Sequence, residues 1–392
     1  MTSGTSSESA PSSDHPMEMD AEHITRSTRD RLETADKLQR WLARELPTGS
    51  NPVITEAVSP ESNGMSSETL LITASWSESH ARSEHRLVAR MEPPGDAWPV
   101  FTNYDLGKQF RVMRLVREHT AVPIPETHWY EPDPRVLGSP FLVMDRIEGL
   151  VPPDVLPYTF ADNWVFDASE ADRRTLQDSA IRALAGVHAI TPDAYDLKFL
   201  EHDLPGETSL ERSVHHWRQY HDTVVGDEPS PLLAECFDWL IDNLPTDVHG
   251  DALSWGDARI GNMMFRDLEV VAVLDWEMVE VAPPEVDVGW LCYLHLFFHD
   301  LTVQLGAPGL PHMLRPVDVR RTYADASSRS LGDLRWHIAD AAIRHALNVR
   351  RVAERSIFFG EAPEPDDIDD LIMHRSTLRG MLDGSYWSDV AL

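Results

Sequence analysis

One short stretch constrains this chain more than any other, because it combines a polar loop with an apolar strand that ends in a carboxylate. The loop is Trp255-Gly256-Asp257-Ala258-Arg259-Ile260-Gly261-Asn262, with an Asp and an Asn five residues apart. The apolar run Val270–Leu274 follows and leads directly into Asp275. A short apolar run bounded by polar and glycine residues is typical of a strand. The order of parts therefore predicts a Gly-containing loop, a strand and a second polar site.

The residue types in this stretch suit phosphoryl transfer. That reaction needs a group that accepts the proton of a substrate hydroxyl, and oxygen ligands that hold Mg²⁺ on a triphosphate. Mg²⁺ prefers one or two carboxylate or amide oxygens together with phosphates and water. Asp257, Asn262 and Asp275 together meet that demand. The alternative is that Asp257 and Asn262 are turn or capping residues and that Asp275 only closes a strand.

The same stretch resembles the aminoglycoside-phosphotransferase family, a branch of the kinase-like fold. The resemblance rests on Asp257 and Asn262 followed by Leu-Asp-Trp-Glu at 274–277, and Pro-Pro-Glu-Val-Asp at 283–287 extends it. It covers about residues 50–310. It implies that Asp257 is the catalytic Asp, that Asn262 and Asp275 bind Mg²⁺, and that Arg259 contacts phosphate. Glu277 and Asp287 either take part in the site or only orient the loop.

Two upstream segments extend the resemblance. Phe141–Gly149 is similar to the family's hinge, which implies that Met144 and Ile147 contact the nucleotide. Ile181–His188 is similar to a helix of the family that contains leucine and histidine. The resemblance implies that the co-substrate is ATP or GTP and that the acceptor is a hydroxyl of a small molecule. The form of the loop at 255–262 is most similar to members associated with acyl-CoA metabolism.

The part of the chain that would hold the triphosphate matches the family's pattern less closely. Gly64–Thr69 resembles the family's loop over the phosphates, with Ser66 and Ser67 as candidate contacts; a plain hairpin turn is the alternative. Backbone N–H groups and hydroxyls of such a loop can bind phosphate oxygens. The next strand ends in Arg90 where the family has Lys or Arg, and no lysine lies between Lys37 and Lys108. Arginine binds phosphate in a bidentate manner, although a surface arginine is the alternative.

The helix that normally supplies a glutamate partner for this basic residue departs from the family pattern. Gln109 occupies the corresponding position, so an ion pair would become a neutral hydrogen bond. Asp105 could substitute for the glutamate, or the alignment could be shifted by a residue or more.

A second motif lies close to the loop and competes with it. His249-Gly250-Asp251 has the letters common in the family's catalytic loop. Five residues beyond Asp251, however, lies Gly256, which has no side-chain ligand. Spacing therefore favours Asp257 as the catalytic residue. His249 and Asp251 are expected to be structural or to line the mouth of the substrate site.

The order of predicted elements indicates an α+β chain with a bilobal protein-kinase-like fold. Residues 1–24 are rich in Ser, Asp, Glu and Pro and predict a disordered tail, and 25–48 predict an amphipathic helix. Short β-type runs at 53–58, 69–76, 86–91 and 141–147 predict a small β-rich N-terminal lobe over 49–148. Helical periodicity dominates the larger C-terminal lobe, 149–392.

Charge and cysteine content exclude some functions. The net charge is −31, so nucleic acid is not an expected partner, because phosphate binding requires a basic face. The acidic surface either favours solubility or attracts cationic substrates. Cys236 and Cys292 are expected to be buried and reduced, in a cytoplasmic protein. The longest apolar run, 286–298, is too short to cross a membrane. The sequence does not predict an oligomeric state.

Two other functions remain open at this point. A nucleotide-binding pseudokinase or regulatory scaffold would explain Gln109, although Asp257, Asn262 and Asp275 are all present. A protein kinase is disfavoured, because the chain shows no clear activation segment that ends in a sequence like Ala-Pro-Glu. The similar sequence Pro283-Pro284-Glu285 lies only eight residues beyond Asp275.

Overall fold

An antiparallel sheet forms the first part of the chain and helices form most of the rest, as the α+β prediction requires. The computed structural model describes residues 29–60, 68–78, 81–92, 104–224, 229–246, 249–388 and 390–392. The predicted tail at 1–24 lies outside these residues. The division of the chain at residue 149 remains a prediction.

In the described residues of the first part there are two helices and five strands. In chain order they are α1 (Arg31–Glu45), β1 (Val53–Val58), β2 (Glu68–Glu78), β3 (Ala81–Met91), α2 (Leu106–His119), β4 (Thr127–Glu131) and β5 (Phe141–Asp145). The strand order is β1-β2-β3-β5-β4, and all neighbours are antiparallel. The predicted strands are confirmed, except that β5 ends two residues before Ile147. The sequence reading missed β4.

Helix α1 covers one face of this sheet. Its apolar side chains Leu38, Trp41 and Leu42 are buried, because they recur at helical spacing on one face. The Trp41 ring meets Phe141 of β5 edge-on, with ring centroids 4.9 Å apart. Asp30 caps the helix by accepting from the backbone N–H groups of Leu32 and Glu33. Helix α1 lies within the range 25–48 for which the sequence predicts a helix.

The second part is mainly helical in its described residues, with two small two-stranded sheets that flank the polar loop. Its elements are α3 (Trp164–Asp167), α4 (Glu170–Val187), α5 (Ser209–Val224), α6 (Pro231–Asp242), β6 (Ala252–Ser254), β7 (Met263–Arg266), β8 (Glu269–Val273), β9 (Glu280–Ala282), α7 (Pro284–Gln304), α8 (Pro316–Ser327), α9 (Arg335–Phe358) and α10 (Arg375–Asp383). Strand β6 pairs with β9, and β7 pairs with β8. The residues between β6 and β7 form the candidate catalytic loop.

The long apolar run predicted as a core helix lies in α7. Its residues from Pro284 to His295 are buried, and α7 packs against α9. Cys236 and Cys292 are buried and free, as predicted. In the part of the chain that the structure describes, no helix has the length and hydropathy of a membrane span.

Buried histidines make acid a destabilising condition for this fold. His374 is buried beside Tyr293, Phe297 and His345, and burial lowers the pKa of His374 to about 4 from its ordinary 6.5. Between pH 6.5 and 4 the unfolded chain binds this proton and the folded chain does not. We therefore expect the free energy of unfolding to fall as the pH is lowered through this range, with a contribution from this residue of at most about 1.4 kcal/mol per pH unit.

Urea unfolding at pH 7, 6 and 5 would measure this slope. His374→Gln keeps a donor for the carbonyl of Ala342, which His374 contacts at 3.0 Å. We expect the slope of this variant between pH 7 and pH 5 to be shallower by about 1 kcal/mol per pH unit. His312→Gln, at an exposed position, is the control and should keep the wild-type slope. Equal slopes in all three proteins would contradict the assignment.

Candidate active site

Asp257 lies at the centre of a buried polar cluster in the loop between β6 and β7. It is 9% exposed. Its Oδ2 accepts from Nδ2 of Asn262 at 2.6 Å, and its Oδ1 accepts from the indole N–H of Trp290 at 2.8 Å. Nε of Arg259 donates to both oxygens, at 3.0 and 3.1 Å. Two donors from the loop itself and one from α7 therefore fix the orientation of the carboxylate.

The Asp257 contact also fixes which way the Asn262 amide points. A carboxylate only accepts hydrogen bonds, so the amide NH₂ must face Asp257 and the amide oxygen must face away. The backbone carbonyl of Asn262 accepts from the N–H of Leu274 at 2.9 Å. This bond ties the loop to the residue directly before Asp275. The sequence-predicted pair, Asn262 and Asp275, is thus brought together at the end of β8.

Asp275 has an unusual backbone conformation. Its φ is +57°, in the left-handed region that most side chains avoid. Nε1 of Trp255 donates to the carbonyls of Leu274 and Asp275, at 2.9 and 2.8 Å, and so holds this turn against the loop. Strained backbone of this kind clusters at functional sites.

Two glycines of the loop lie in close packing, and Gly256 is required there. Gly256 has φ +89°, and a Cβ there would overlap the backbone carbonyl of Met278. A Cβ on Gly261 would overlap the carboxylate of Asp154. The glycines in the sequence motif therefore allow two other segments to approach the loop.

Asp287, near the start of α7, holds the entrance of the loop. It is fully buried and accepts from the backbone N–H groups of Trp255 and Gly256, at 2.6 and 2.8 Å. Its other partners are Oγ of Ser254 at 2.8 Å and Nε2 of His188 at 2.9 Å. Of the two roles left open for Asp287, these contacts support orientation of the loop.

Arg259 lies between two carboxylates. Besides its contact with Asp257, Arg259 forms an ion pair through Nη1 with Asp154. Asp154 lies in the segment after β5, and its carboxylate is next to Gly261. Burial alone would lower the pKa of the Arg259 guanidinium, but Asp257 and Asp154 together raise it. Arg259 therefore stays charged beside the candidate catalytic carboxylate. A contact with phosphate, which the family resemblance implies, would have to use its remaining N–H groups.

Arg90 connects the antiparallel sheet to the segment that carries Asp275. Nη2 of Arg90, in β3, lies 3.4 Å from Oδ1 of Asp275. Near it, Tyr104 donates its hydroxyl hydrogen to Glu277 at 2.5 Å. Lys108 in α2 lies 3.4 Å from the carbonyls of Glu277 and Val279, and burial lowers the pKa of its ammonium group. Side chains from the sheet half thus contact the segment that carries Asp275.

Gln109 does not complete an ion pair. It is 1% exposed in α2, and within the described chain its Oε1 has no hydrogen-bond partner. Asp105, the alternative partner for Arg90, instead caps α2 by accepting from the N–H of Lys108 at 2.8 Å. The glutamate that the family normally supplies here is therefore not replaced by Asp105 in this conformation.

We expect Arg90→Ala to weaken nucleotide binding and Arg90→Lys to restore part of the loss, because lysine keeps the charge and loses the bidentate fork. Calorimetry with a non-hydrolysable triphosphate would measure both. Arg86→Ala, four residues earlier in β3 and exposed, is the matched control. If the side chains at positions 90 and 109 interact, the effects of Gln109→Glu and Arg90→Ala on nucleotide affinity should not add in the double variant. Strict additivity with unchanged binding in Arg90→Ala would show that β3 does not hold phosphate.

The remaining predicted residues are placed as follows. Met144 is buried in β5, and Ile147 is half-buried just beyond it. Ser66 and Ser67 lie outside the described residues. His249 contacts Glu285 at 2.5 Å, and Asp251 accepts from Oγ of Ser209 at 2.5 Å. Neither makes a described contact with Asp257 or Asn262.

Sequence reasoning missed four residues of this site: Asp154, Tyr104, Lys108 and Trp290. Each makes its contact across a long separation in the chain, so no local spacing identifies it. Lys108 had one available signal, since it is one of only three lysines and directly precedes Gln109.

Comparisons with known proteins identify the family of this chain. The model of the phosphotransferase enzyme family (APH) matches residues 71–310, which contain the whole described cluster. Among curated proteins, a probable acyl-CoA dehydrogenase of Arabidopsis thaliana is 28% identical over 297 residues, 71% of this chain and 34% of that protein. This chain spans about a third of the length of that relative. The expected resemblance to the branch associated with acyl-CoA metabolism is confirmed.

Solved structures show the fold. A putative aminoglycoside phosphotransferase from Ralstonia eutropha superposes with a TM-score of 0.62 at 21% identity, covering 91% of this chain and 99% of that one. An aminoglycoside phosphotransferase solved in a ternary complex with streptomycin and ATP gives a TM-score of 0.52 at 13% identity, covering 88% and 97%. The predicted bilobal kinase-like fold is confirmed.

Proposed function

Since the chain belongs to the phosphotransferase enzyme family, we propose that it is a small-molecule kinase that transfers the γ-phosphoryl group of ATP or GTP to a hydroxyl. The observation that carries the proposal is the assembly around Asp257. Its carboxylate contacts Asn262, and the backbone of Asn262 is bonded to the residue before Asp275. In this proposal Asp257 accepts the proton of the acceptor hydroxyl as the new P–O bond forms.

The residues at the end of β8 fit a Mg²⁺ ion. The Asn262 amide oxygen is turned away from Asp257, and Asp275 follows the residue bonded to Asn262. One amide and one carboxylate oxygen are a donor set suited to Mg²⁺ that also binds phosphates and water. We propose that Asn262 and Asp275 hold this ion, which neutralises charge on the triphosphate when bound. Arg90, beside Asp275, would then contact the phosphates.

The remaining site roles are proposals of the same kind. Arg259 would contact phosphate with the N–H groups that its two carboxylate partners leave over. Met144 and Ile147 would contact the nucleotide base at the hinge, and Ser66 and Ser67 the triphosphate.

We expect Asp275→Asn to weaken Mg²⁺-dependent triphosphate binding, because the variant loses the charge that faces the metal. Asn tolerates the left-handed backbone at this position, so the change adds little strain. Calorimetry with a non-hydrolysable triphosphate, with and without Mg²⁺, would measure the effect. Asp267→Asn is the control: it is exposed and also has positive φ, +50°. Equal affinity with and without Mg²⁺ in the wild type would count against the metal role.

The acceptor is best identified by nucleoside diphosphate release. A library of hydroxyl compounds, including aminoglycosides and hydroxyacyl thioesters, should contain at least one that stimulates Mg²⁺-dependent ADP or GDP formation. The first class is motivated by the streptomycin complex of a structural neighbour, and the second by the name of the curated relative. Mass spectrometry of the product would locate the phosphoryl group. A product phosphorylated elsewhere than on a hydroxyl would refute the acceptor class.

One observation favours a pseudokinase as the second candidate. Gln109 replaces a charged residue that normally locks the basic side chain, and its Oε1 lacks a partner in the described chain. Triphosphate binding without turnover on any acceptor would support this function. Turnover that depends on Asp257 would exclude it.

A further inference from the structure

A cavity lies outside the cluster around Asp257, between the start of α4 and the segment before α8. Its volume is about 230 Å³, enough for a small metabolite rather than a single water. Three arginines line it (Arg173, Arg174 and Arg315) against two carboxylates, Glu170 and Asp318. The arginines outnumber the carboxylates in this lining, and Arg174 also pairs with Asp178, which lies outside it.

A buried carboxylate holds two of these arginines in place. Asp318 is 3% exposed. Nη2 of Arg315 lies 2.6 Å from its Oδ2, and Nη1 of Arg174 lies 3.5 Å from its Oδ1. Each guanidinium has five N–H donors, so these contacts leave others available. Arginines fixed in this way lose little freedom when they bind an anion.

The third arginine is held by the backbone. Nη1 of Arg173 donates to the carbonyls of Phe166 and Ala168, at 2.8 and 2.5 Å. The three guanidinium groups are therefore all anchored before any ligand arrives.

The buried wall of the cavity contains an unsatisfied donor. Gln177 in α4 is 1% exposed and lines the cavity. Its Oε1 accepts from the N–H of Leu314 at 2.5 Å, which leaves Nε2 as the free end. Within the described chain, this Nε2 has no hydrogen-bond partner. A buried donor without an acceptor is costly. Because this Nε2 is covered, a ligand oxygen has to enter against it to form the missing bond.

We propose that this cavity binds a small molecule through an oxyanion, either a carboxylate or a phosphate. The arginines supply charge and Gln177 supplies a neutral donor at the buried wall. The site is separate from the residues assigned to phosphoryl transfer and does not depend on that function.

Isothermal titration calorimetry with sodium succinate and with inorganic phosphate, at constant ionic strength, tests the proposal. We expect at least one probe to bind saturably at a single site, and the probe that binds identifies the oxyanion. Arg315→Gln should weaken that binding by about tenfold or more, as expected for loss of a hydrogen bond to a charged group. Gln177→Glu should do the same, because it keeps the acceptor for Leu314 and replaces the donor.

Arg321→Gln is the matched control. Arg321 also pairs with Asp318 but does not line the cavity, so this variant should bind within about twofold of wild type. Thermal unfolding of each variant checks that it is folded. Binding of neither probe overturns the proposal, as does equal weakening in Arg321→Gln and Arg315→Gln. Phosphate binding that is lost in Arg90→Ala and kept in Arg315→Gln belongs to the nucleotide site and also overturns it.

Discussion

Asp257→Asn is expected to lower turnover by about 10²–10⁴-fold, the usual contribution of a positioned general base. The substitution removes the group proposed to accept the hydroxyl proton and leaves most of the side-chain volume. It also places an amide against three donors, from Asn262, Trp290 and Arg259, so some local rearrangement is expected. Steady-state ADP or GDP release with a saturating acceptor would measure the loss. Thermal unfolding would show whether the variant is folded.

Asp251→Asn is the control for this experiment. Like Asp257, Asp251 follows a glycine. It contacts Ser209, and the residue five positions further on is Gly256 rather than Asn. Turnover within a few-fold of wild type is expected. If Asp251→Asn is inactive and Asp257→Asn is active, the catalytic role belongs to the His249–Asp251 motif instead.

Local patterns in the sequence were sufficient for much of the fold. Strands β1, β2 and β3 contain runs of β-type residues separated by turn residues, and the long apolar run at 286–298 forms a buried helix. The spacing of Asp257 and Asn262 also selected the pair of side chains that the structure brings into contact. These features are determined by residues that lie close together in the sequence, so local sequence patterns can predict them.

Contacts between distant segments could not be predicted in this way. Strand β4, Thr-His-Trp-Tyr-Glu, lacks a clear apolar alternation, and its position depends on pairing with β5. Asp154 follows two prolines in a segment without a motif, yet it reaches Arg259 across 105 residues. The pairing expected between Arg90 and the Gln109 position depended on tertiary packing. In the structure Arg90 contacts Asp275 instead, and Gln109 Oε1 is left without a partner in the described chain.

The second large effect is expected at Asp287, through stability rather than chemistry. Asp287→Ala removes one acceptor from four buried donors, those of His188, Ser254, Trp255 and Gly256. Loss of one member of a buried charged network typically costs about 3–5 kcal/mol. We therefore expect the free energy of unfolding to fall by about this amount. Urea unfolding near pH 7 would measure it.

Asp287→Asn and Glu285→Gln separate the contribution of the loop contacts from that of buried charge in α7. Asparagine retains one oxygen, which can serve either the pair from Ser254 and Gly256 or the pair from Trp255 and His188, so an intermediate loss is expected. Glu285 is also buried in α7, but its carboxylate contacts His249 and makes no described contact with the loop. Glu285→Gln should therefore change the free energy of unfolding by less than about 1.5 kcal/mol. If Asp287→Ala unfolds at the same urea concentration as wild type, its carboxylate does not hold the loop, and the orientation of Asp257 must have another origin.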